Sequence, residues 1–184
     1  MATKISVIIP TYAPKDYLWE CLGSLENQTL SKDEFEVILV LNGEREPYES
    51  LIQKKLPEYS FNSTLLYSTP NGVSRARNLG MEKAQGCHIC FIDDDDWVSD
   101  NYLEDLLSKA CDDGIVEANV KDVDEVTREE SEQHFLSRAY KNYQPEKESS
   151  LFVNRSFFSS ACCKLLPKNC INGQRFDTNI KRGE

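Results

Sequence analysis

Long apolar runs are missing from this 184-residue chain. No stretch reaches the roughly 18 apolar residues that a membrane-spanning helix needs. The apolar start, MATKISVIIPTY, is too short and too β-branched for a secretory signal peptide. Positive charge is also short: 21 Lys and Arg stand against 31 Asp and Glu, a net charge of −10 that argues against nucleic acid and against strong binding to anionic lipid. Both phosphate-loop signatures are absent, Gly-x-x-x-x-Gly-Lys-[Ser/Thr] as well as Gly-x-Gly-x-x-Gly. No internal repeat or low-complexity tract interrupts the chain.

What remains is globular in composition, with 40% hydrophobic residues, enough for one sizeable α/β domain. The seven cysteines are an odd number without a signal peptide, which points to reduced thiols in a cytosol rather than a disulfide framework. Cys87-His88-Ile89-Cys90 invites a zinc reading. On a strand, however, residues three apart point to opposite faces, and no second Cys-x-x-Cys follows. Packed thiols are the better account.

The pattern of periods alternates. Residues 4–9 form a β-branched run stopped by Pro10, and 35–41 (FEVILVL) is a second buried strand closed by Asn42-Gly43. Residues 64–67 and 88–92 read as two more strands. Between them, Leu18, Cys21, Leu22 and Leu25 fall at helical spacing. Further helices are expected from Tyr48 to near Pro57, over 73–85 with Gly86 as the stop, and over 101–110. This β-α-β-α-β-α-β-α order predicts an α/β fold with a mostly parallel twisted sheet and helices on both faces. Beyond Gly114 the expectations are an exposed or edge strand over 115–126, a helix over 129–143, a loop over 144–150, and short strand-like and turn-like pieces from Leu151.

Each strand ends in a polar cluster: Pro10-Thr11-Tyr12, Asn42-Gly43-Glu44, Asn71-Gly72, and Asp93 to Asp96 within FIDDDDWV. In an open α/β sheet, ligands bind at the carboxyl ends of the strands, so the four clusters share one rim. Charges about 5 Å apart at an effective dielectric of 20 repel by roughly 3 kcal/mol per pair, and the quartet needs a cation or strong donors to stay ionised. With His88 the one histidine nearby, oxygen ligation favours Mg2+ or Mn2+ over zinc. A metal on these carboxylates, with Arg77 close by, suits a diphosphate leaving group. The plain alternative is an aspartate turn capping the helix near Asn101.

ISVIIPTY, SLENQTL, NGVSRARNLGMEKAQG and FIDDDDW, in this order, resemble the GT-A nucleotide-diphospho-sugar glycosyltransferases of the large inverting family 2. The resemblance covers about residues 4–110. The end, KLLPKNCINGQRFDTNIKRGE, looks like the acceptor-side segment of bacterial capsule and lipopolysaccharide transferases of that family. It implies a GT-A (Rossmann-like) domain with residues 1–112 binding the donor and 113–184 on the acceptor side. Pro10, Thr11 and Tyr12 would floor the base pocket, and Arg77 would contact nucleotide or diphosphate. Asn78 would stabilise its turn, Asp93 and Asp94 would approach ribose or sugar, and Asp95 and Asp96 would supply the catalytic, metal-side carboxylates. Trp97 would pack beneath the acceptor cleft.

Two departures stand out. The family commonly reads uracil with an acidic pair after the second strand, where this chain has Asn42-Gly43-Glu44, with Asn42 or Glu44 as the substitute. Its general base sits in a Glu-Asp pair after a Phe-Asp segment. Phe176-Asp177 is followed here by Arg182-Gly183-Glu184, so the base is expected just beyond Glu184, in a chain truncated at that point. The implied reaction is inverting transfer from a nucleotide-sugar to a saccharide or lipid-linked acceptor, using Mg2+ or Mn2+, in the cytoplasm near the inner membrane face, with peripheral membrane association through the missing part. A sugar-phosphate nucleotidyltransferase and a non-catalytic nucleotide-sugar-binding fragment are the alternatives. The first would normally show a Gly-rich basic loop after strand one, where this chain has Pro10-Thr11-Tyr12-Ala13.

Overall fold

A computed structural model of the chain describes residues 3–143 and 160–180. Strands and helices alternate as expected: β1 (Ile5–Thr11), α1 (Asp16–Glu26), β2 (Phe35–Leu41), α2 (Tyr48–Lys55), β3 (Asn62–Tyr67), α3 (Val73–Lys83), β4 (His88–Phe91) and α4 (Tyr102–Ser108). The pieces that follow are short: β5 (Val116–Glu117), β6 (Asp122–Val123), β7 (Glu130–Ser131), α5 (Phe135–Asn142), β8 (Lys164–Pro167) and α6 (Lys168–Ile171).

The six-stranded sheet has the order β3-β2-β1-β4-β8-β5. Its first four strands are parallel, and β8 returns antiparallel between β4 and β5. Every residue of β1 and β2 is buried, as it must be for strands covered on both faces. Side-chain alternation divides the core. Ile5, Val7 and Ile9 meet Leu18 and Leu22 of α1 and Leu103 of α4 on one face. Ile8, Ile38 and Val40 meet Ala76 and Met81 of α3 on the other. Among the described residues, no helix is long and apolar enough to cross a membrane.

Several boundaries differ from the sequence reading. Pro10 does not stop β1; it pairs with Val40 of β2 inside the strand. The reason lies in which neighbour its missing N–H would face. Ile8 offers its carbonyl to Ile92 on the β4 side, and Thr11 offers its own to Asn42 on the β2 side. Backbone groups alternate sides along a strand, so Pro10 turns its absent donor toward β4, beyond the last paired position, Ile8 with Phe91. The helix expected over 129–143 is confined to α5, because Glu130–Ser131 pairs with Asp122–Val123 as a small hairpin. The strand expected over 115–126 is correspondingly split between the edge of the main sheet and that hairpin. The loop expected over 144–150 lies outside the described residues, as do the first pieces expected from Leu151.

Gly86 is not the stop of α3, which turns out at Ala84. It is instead the point where the link to β4 crosses β1. Its N–H donates to Ser6 Oγ at 2.8 Å, and Ser6 Oγ in turn donates to the buried Glu36 carboxylate at 2.6 Å. A Cβ at Gly86 would lie 2.6 Å from Ser6 N and 2.7 Å from Ile5 C, backbone atoms that cannot swing aside. Gly86→Ala is expected to cost about 2–3 kcal/mol, the upper range for overpacking, read as a lower urea midpoint with an unchanged m-value.

Candidate active site

Four parallel strands place four loops on one rim, and hydrogen bonds knit those loops together. Asn42, 5% exposed at the end of β2, uses both ends of its amide on backbone. Its Nδ2 donates to Thr11 O at 2.9 Å, and its Oδ1 accepts from Gly72 N at 3.2 Å. The residue thus locks the start of α3 onto the ends of β1 and β2, and keeps a second N–H and a second lone pair on its amide. Glu44 is exposed. Pro10 and Thr11 are buried beneath the rim, whereas Tyr12 is 57% exposed. A Cβ at Gly43 would stand 2.7 Å from the Tyr12 ring, so a glycine is what lets one edge of that ring close on the β2 end. The result is an open aromatic shelf.

The aspartates form a tight turn, with Asp96 N–H donating to Asp93 O at 3.1 Å. Their environments differ. Asp93 Oδ1 accepts from Arg77 Nη2 at 3.0 Å, and Arg77 is 8% exposed. Asp94 Oδ2 accepts from Thr11 Oγ1 at 2.5 Å, tying the turn to β1. Asp95 and Asp96 have neither a hydrogen bond nor an ion pair from their carboxylates among the described residues. Burial pushes the Asp94 carboxyl up to about 6; the Thr11 hydrogen bond opposes the rise and the charges of Asp95 and Asp93 add to it. Asp96 is likewise pushed up to about 6, by desolvation first and then by Asp93, Asp95 and Asp94. Since Asp96 keeps an exposed flank, solvent screening makes its effect on stability the smaller of the two.

A divalent cation suits this arrangement. Among the described residues, no three acidic, histidine or cysteine side chains form a closed cage. Mg2+ and Mn2+ do not need one, since such ions are held by one or two carboxylates and complete their shell with water and substrate phosphate. Asp95 and Asp96 are the two carboxylates still open for that purpose.

The C-terminal segment closes the far side of the rim. Asn78 Nδ2 donates to Phe176 O and Asn78 Oδ1 accepts from Phe176 N, both at 2.9 Å. Asn78 therefore grips a segment 98 residues away rather than its own turn. The Phe176 ring packs edge-on against Phe91 at 5.4 Å, and the Arg77 guanidinium lies over it, also at 5.4 Å. Asp177 Oδ1 is taken up locally, accepting from Asn179 N at 2.8 Å and Asn179 Nδ2 at 3.0 Å. Glu184 lies outside the described residues. Trp97 is 44% exposed rather than buried. Arg128, from the β6–β7 hairpin, sits over its ring at 5.3 Å and holds both Glu20 oxygens at 2.9 Å.

Sequence reasoning did not single out Phe176 as a packing partner of Arg77, and Cys162 was passed over. Cys162 pairs with Phe91 beside Asp93, and burial followed by the Asp93 charge pushes its thiol far up. Only the Phe-Asp pair in the sequence hinted at this contact; nothing marked the cysteine.

Residues 6–168 match the family described as glycosyl transferase family 2. The chain belongs to that family. Among the family 2 relatives, the minor teichoic acid biosynthesis protein GgaB of Bacillus subtilis is 29% identical over 97% of this chain and 20% of its own length. The poly(ribitol-phosphate) beta-N-acetylglucosaminyltransferase TarS of Staphylococcus aureus is 31% identical over 57% of this chain and 18% of its own. The chain thus spans about a fifth of the length of these curated relatives. Among solved structures, S. aureus TarS in complex with UDP superposes with a TM-score of 0.77 at 24% identity, covering 97% of this chain and 52% of that one. The mannosyltransferase PcManGT of Pyrobaculum calidifontis, in complex with GDP-Man and Mn2+, gives 0.59 at 23% identity over 66% and 36%. The family 2 chain shares their GT-A fold.

A raised carboxyl pKa means that the folded state holds its proton more tightly than the unfolded chain. Ionising Asp94 and Asp96 therefore costs stability as pH rises from about 4 to 6, and the cost is fully present above 6. In metal-free buffer, the Tm of Asp96→Asn minus that of the parent is expected to grow by roughly 1–4 °C between pH 4 and pH 7, as followed by circular dichroism. A difference that shrinks over this range contradicts the account.

Proposed function

We propose that residues 1–112 bind a nucleotide-diphospho-sugar and that residues 113–184 form the acceptor side of the same domain. Together they serve a divalent-metal-dependent, inverting glycosyltransferase that builds a surface polymer of the teichoic acid or capsule type. The observation that carries this reading is the pair of unpartnered carboxylates, Asp95 and Asp96, in a turn where Asp93 and Asp94 already have donors. Relatedness to GgaB and TarS, together with the UDP held by the TarS structure, supports the donor and polymer classes.

Each residue takes a definite part. The Tyr12 ring offers its exposed face to the base. Arg77 and Asp93 restrain each other, leaving the second Asp93 oxygen to reach ribose or sugar. Thr11 fixes Asp94 and ties the turn to β1, leaving Asp95 and Asp96 as the carboxylates that would hold Mg2+ or Mn2+. Such an ion would supply charge neutralisation for the departing diphosphate. The acceptor hydroxyl attacks the anomeric carbon in line, and a carboxylate removes its proton; a single displacement inverts the centre. With its carboxylate held by Asn179, Asp177 is a poor base, so the base belongs to the segment beyond Phe176-Asp177. A polymer or lipid-linked acceptor places the enzyme at the cytoplasmic face of the membrane, with peripheral association.

Titration calorimetry with UDP and Mn2+ tests the assignment. Asp95→Asn and Asp96→Asn are each expected to weaken Mn2+-dependent binding tenfold or more, with the circular dichroism spectrum unchanged. Undiminished binding in both variants refutes the metal role. Where transfer is measured, the product's anomeric coupling in a proton NMR spectrum should be opposite to that of the donor; retention refutes the single displacement.

A further inference from the structure

One residue of the β6–β7 hairpin holds a backbone conformation that its side chain makes unfavourable. Arg128 has φ 59°, in the left-handed region, where a Cβ crowds the backbone and glycine or asparagine is the usual choice. The loop around it is ordered by Asp124, whose Oδ1 accepts from Val126 N at 2.9 Å and from Thr127 N at 2.7 Å. Arg128 N–H closes the loop on Asp124 O at 2.9 Å. None of these bonds uses the Arg128 side chain, so a glycine would serve the loop equally well. Strain kept for the sake of a side chain calls for a reason outside the loop.

The guanidinium reaches away from the hairpin. Its Nη2 donates to both oxygens of Glu20 on α1 at 2.9 Å, and the group lies over the Trp97 ring at 5.3 Å. Stability is a poor reason for the contact, because the two charged side chains are 53% and 48% exposed and such surface pairs contribute little. What the pair does is restrain a ring that packing leaves open. Trp97 and Arg128 together line a cavity of about 490 Å³ with Gly23, Ser24 and Asn27 of α1.

Trp97 directly follows Asp96. The carboxylate turn leaves β4 with two anchors, Arg77 on Asp93 and Thr11 on Asp94. It then runs along α1, where Ser24 Oγ accepts from Val98 N at 3.2 Å and Gln28 Nε2 donates to Ser99 O at 2.7 Å. Asp95, Asp96 and Trp97 span the gap between these two sets of anchors. Within that span the Trp97 ring is the side chain that another element grips.

We propose that Arg128 is a positioning residue for the metal-side carboxylates. By pinning Trp97 against Glu20, it sets where the chain leaves Asp95 and Asp96, and so how the two meet Mg2+ or Mn2+. This goes beyond the metal reading above and rests on it. Arg128 does not touch the ion; it acts through Trp97, as outer partners of metal ligands do. A hairpin of the acceptor side thus completes a site whose carboxylates all belong to the donor side.

Arg128→Gly separates this role from a merely structural one, since glycine adopts a positive φ freely and preserves the loop. Calorimetry of the full chain measures UDP affinity once with Mn2+ and once with EDTA. In Arg128→Gly the affinity with Mn2+ is expected to fall about tenfold, the lower end for partners that orient metal ligands, and the affinity in EDTA to stay as it is. In a Trp19→Phe background Trp97 is the one tryptophan left, and Arg128→Gly should move its emission to longer wavelength as the ring gains solvent. An unchanged affinity with Mn2+ overturns the proposal and leaves the metal reading standing. An equal loss with Mn2+ and with EDTA does the same, as does an unshifted Trp97 emission. A parent that binds UDP equally with Mn2+ and with EDTA overturns the metal reading, and the proposal with it.

Discussion

Strands that run in the same direction must end at the same edge, and most of this molecule follows from that constraint. β1 is buried on both faces and flanked by β2 and β4, so its backbone direction sets that of its neighbours. Once three parallel pairings are made, Thr11, Asn42, Gly72 and the aspartate turn have nowhere to be except beside one another. The hydrogen bonds among them are consequences of that crowding. Asn42 bridges two loops because both arrive within reach of it, and Thr11 meets Asp94 because β1 and β4 are neighbours.

Electrostatics then distributes the acids unequally. Of four consecutive carboxylates, one is matched by a buried guanidinium and one by a hydroxyl, while two are left to solvent or to a ligand. A symmetric cluster would repel itself apart. This one is graded, with its compensated members toward the sheet and its uncompensated ones outward. Repulsion among these charges weakens the turn, and a bound cation would relieve it.

How much of this could be read from the residues depended on how local the cause was. The strands 35–41 and 88–92 and the helical spacing from Leu18 to Leu25 announced themselves, because burial imposes a period on a short window. The rim followed from the alternation of elements. Pro10 misled because whether a proline ends a strand depends on which neighbour its missing donor faces, and that is a property of the sheet. The residues after Gly114 misled because two-residue strands carry too little pattern to compete with a run of helix formers.

The double hydrogen bond between Asn78 and Phe176 reaches across 98 residues of chain. One amide thereby fastens the returning segment directly to the helix that carries Arg77, without relying on anything in between. That intervening stretch includes β4 and the aspartate turn, so the clasp closes a long loop of chain that carries the site's own carboxylates. The same contact seats the Phe176 ring against Phe91 of β4 and beneath the Arg77 guanidinium, so one amide holds both ends of the loop at the rim.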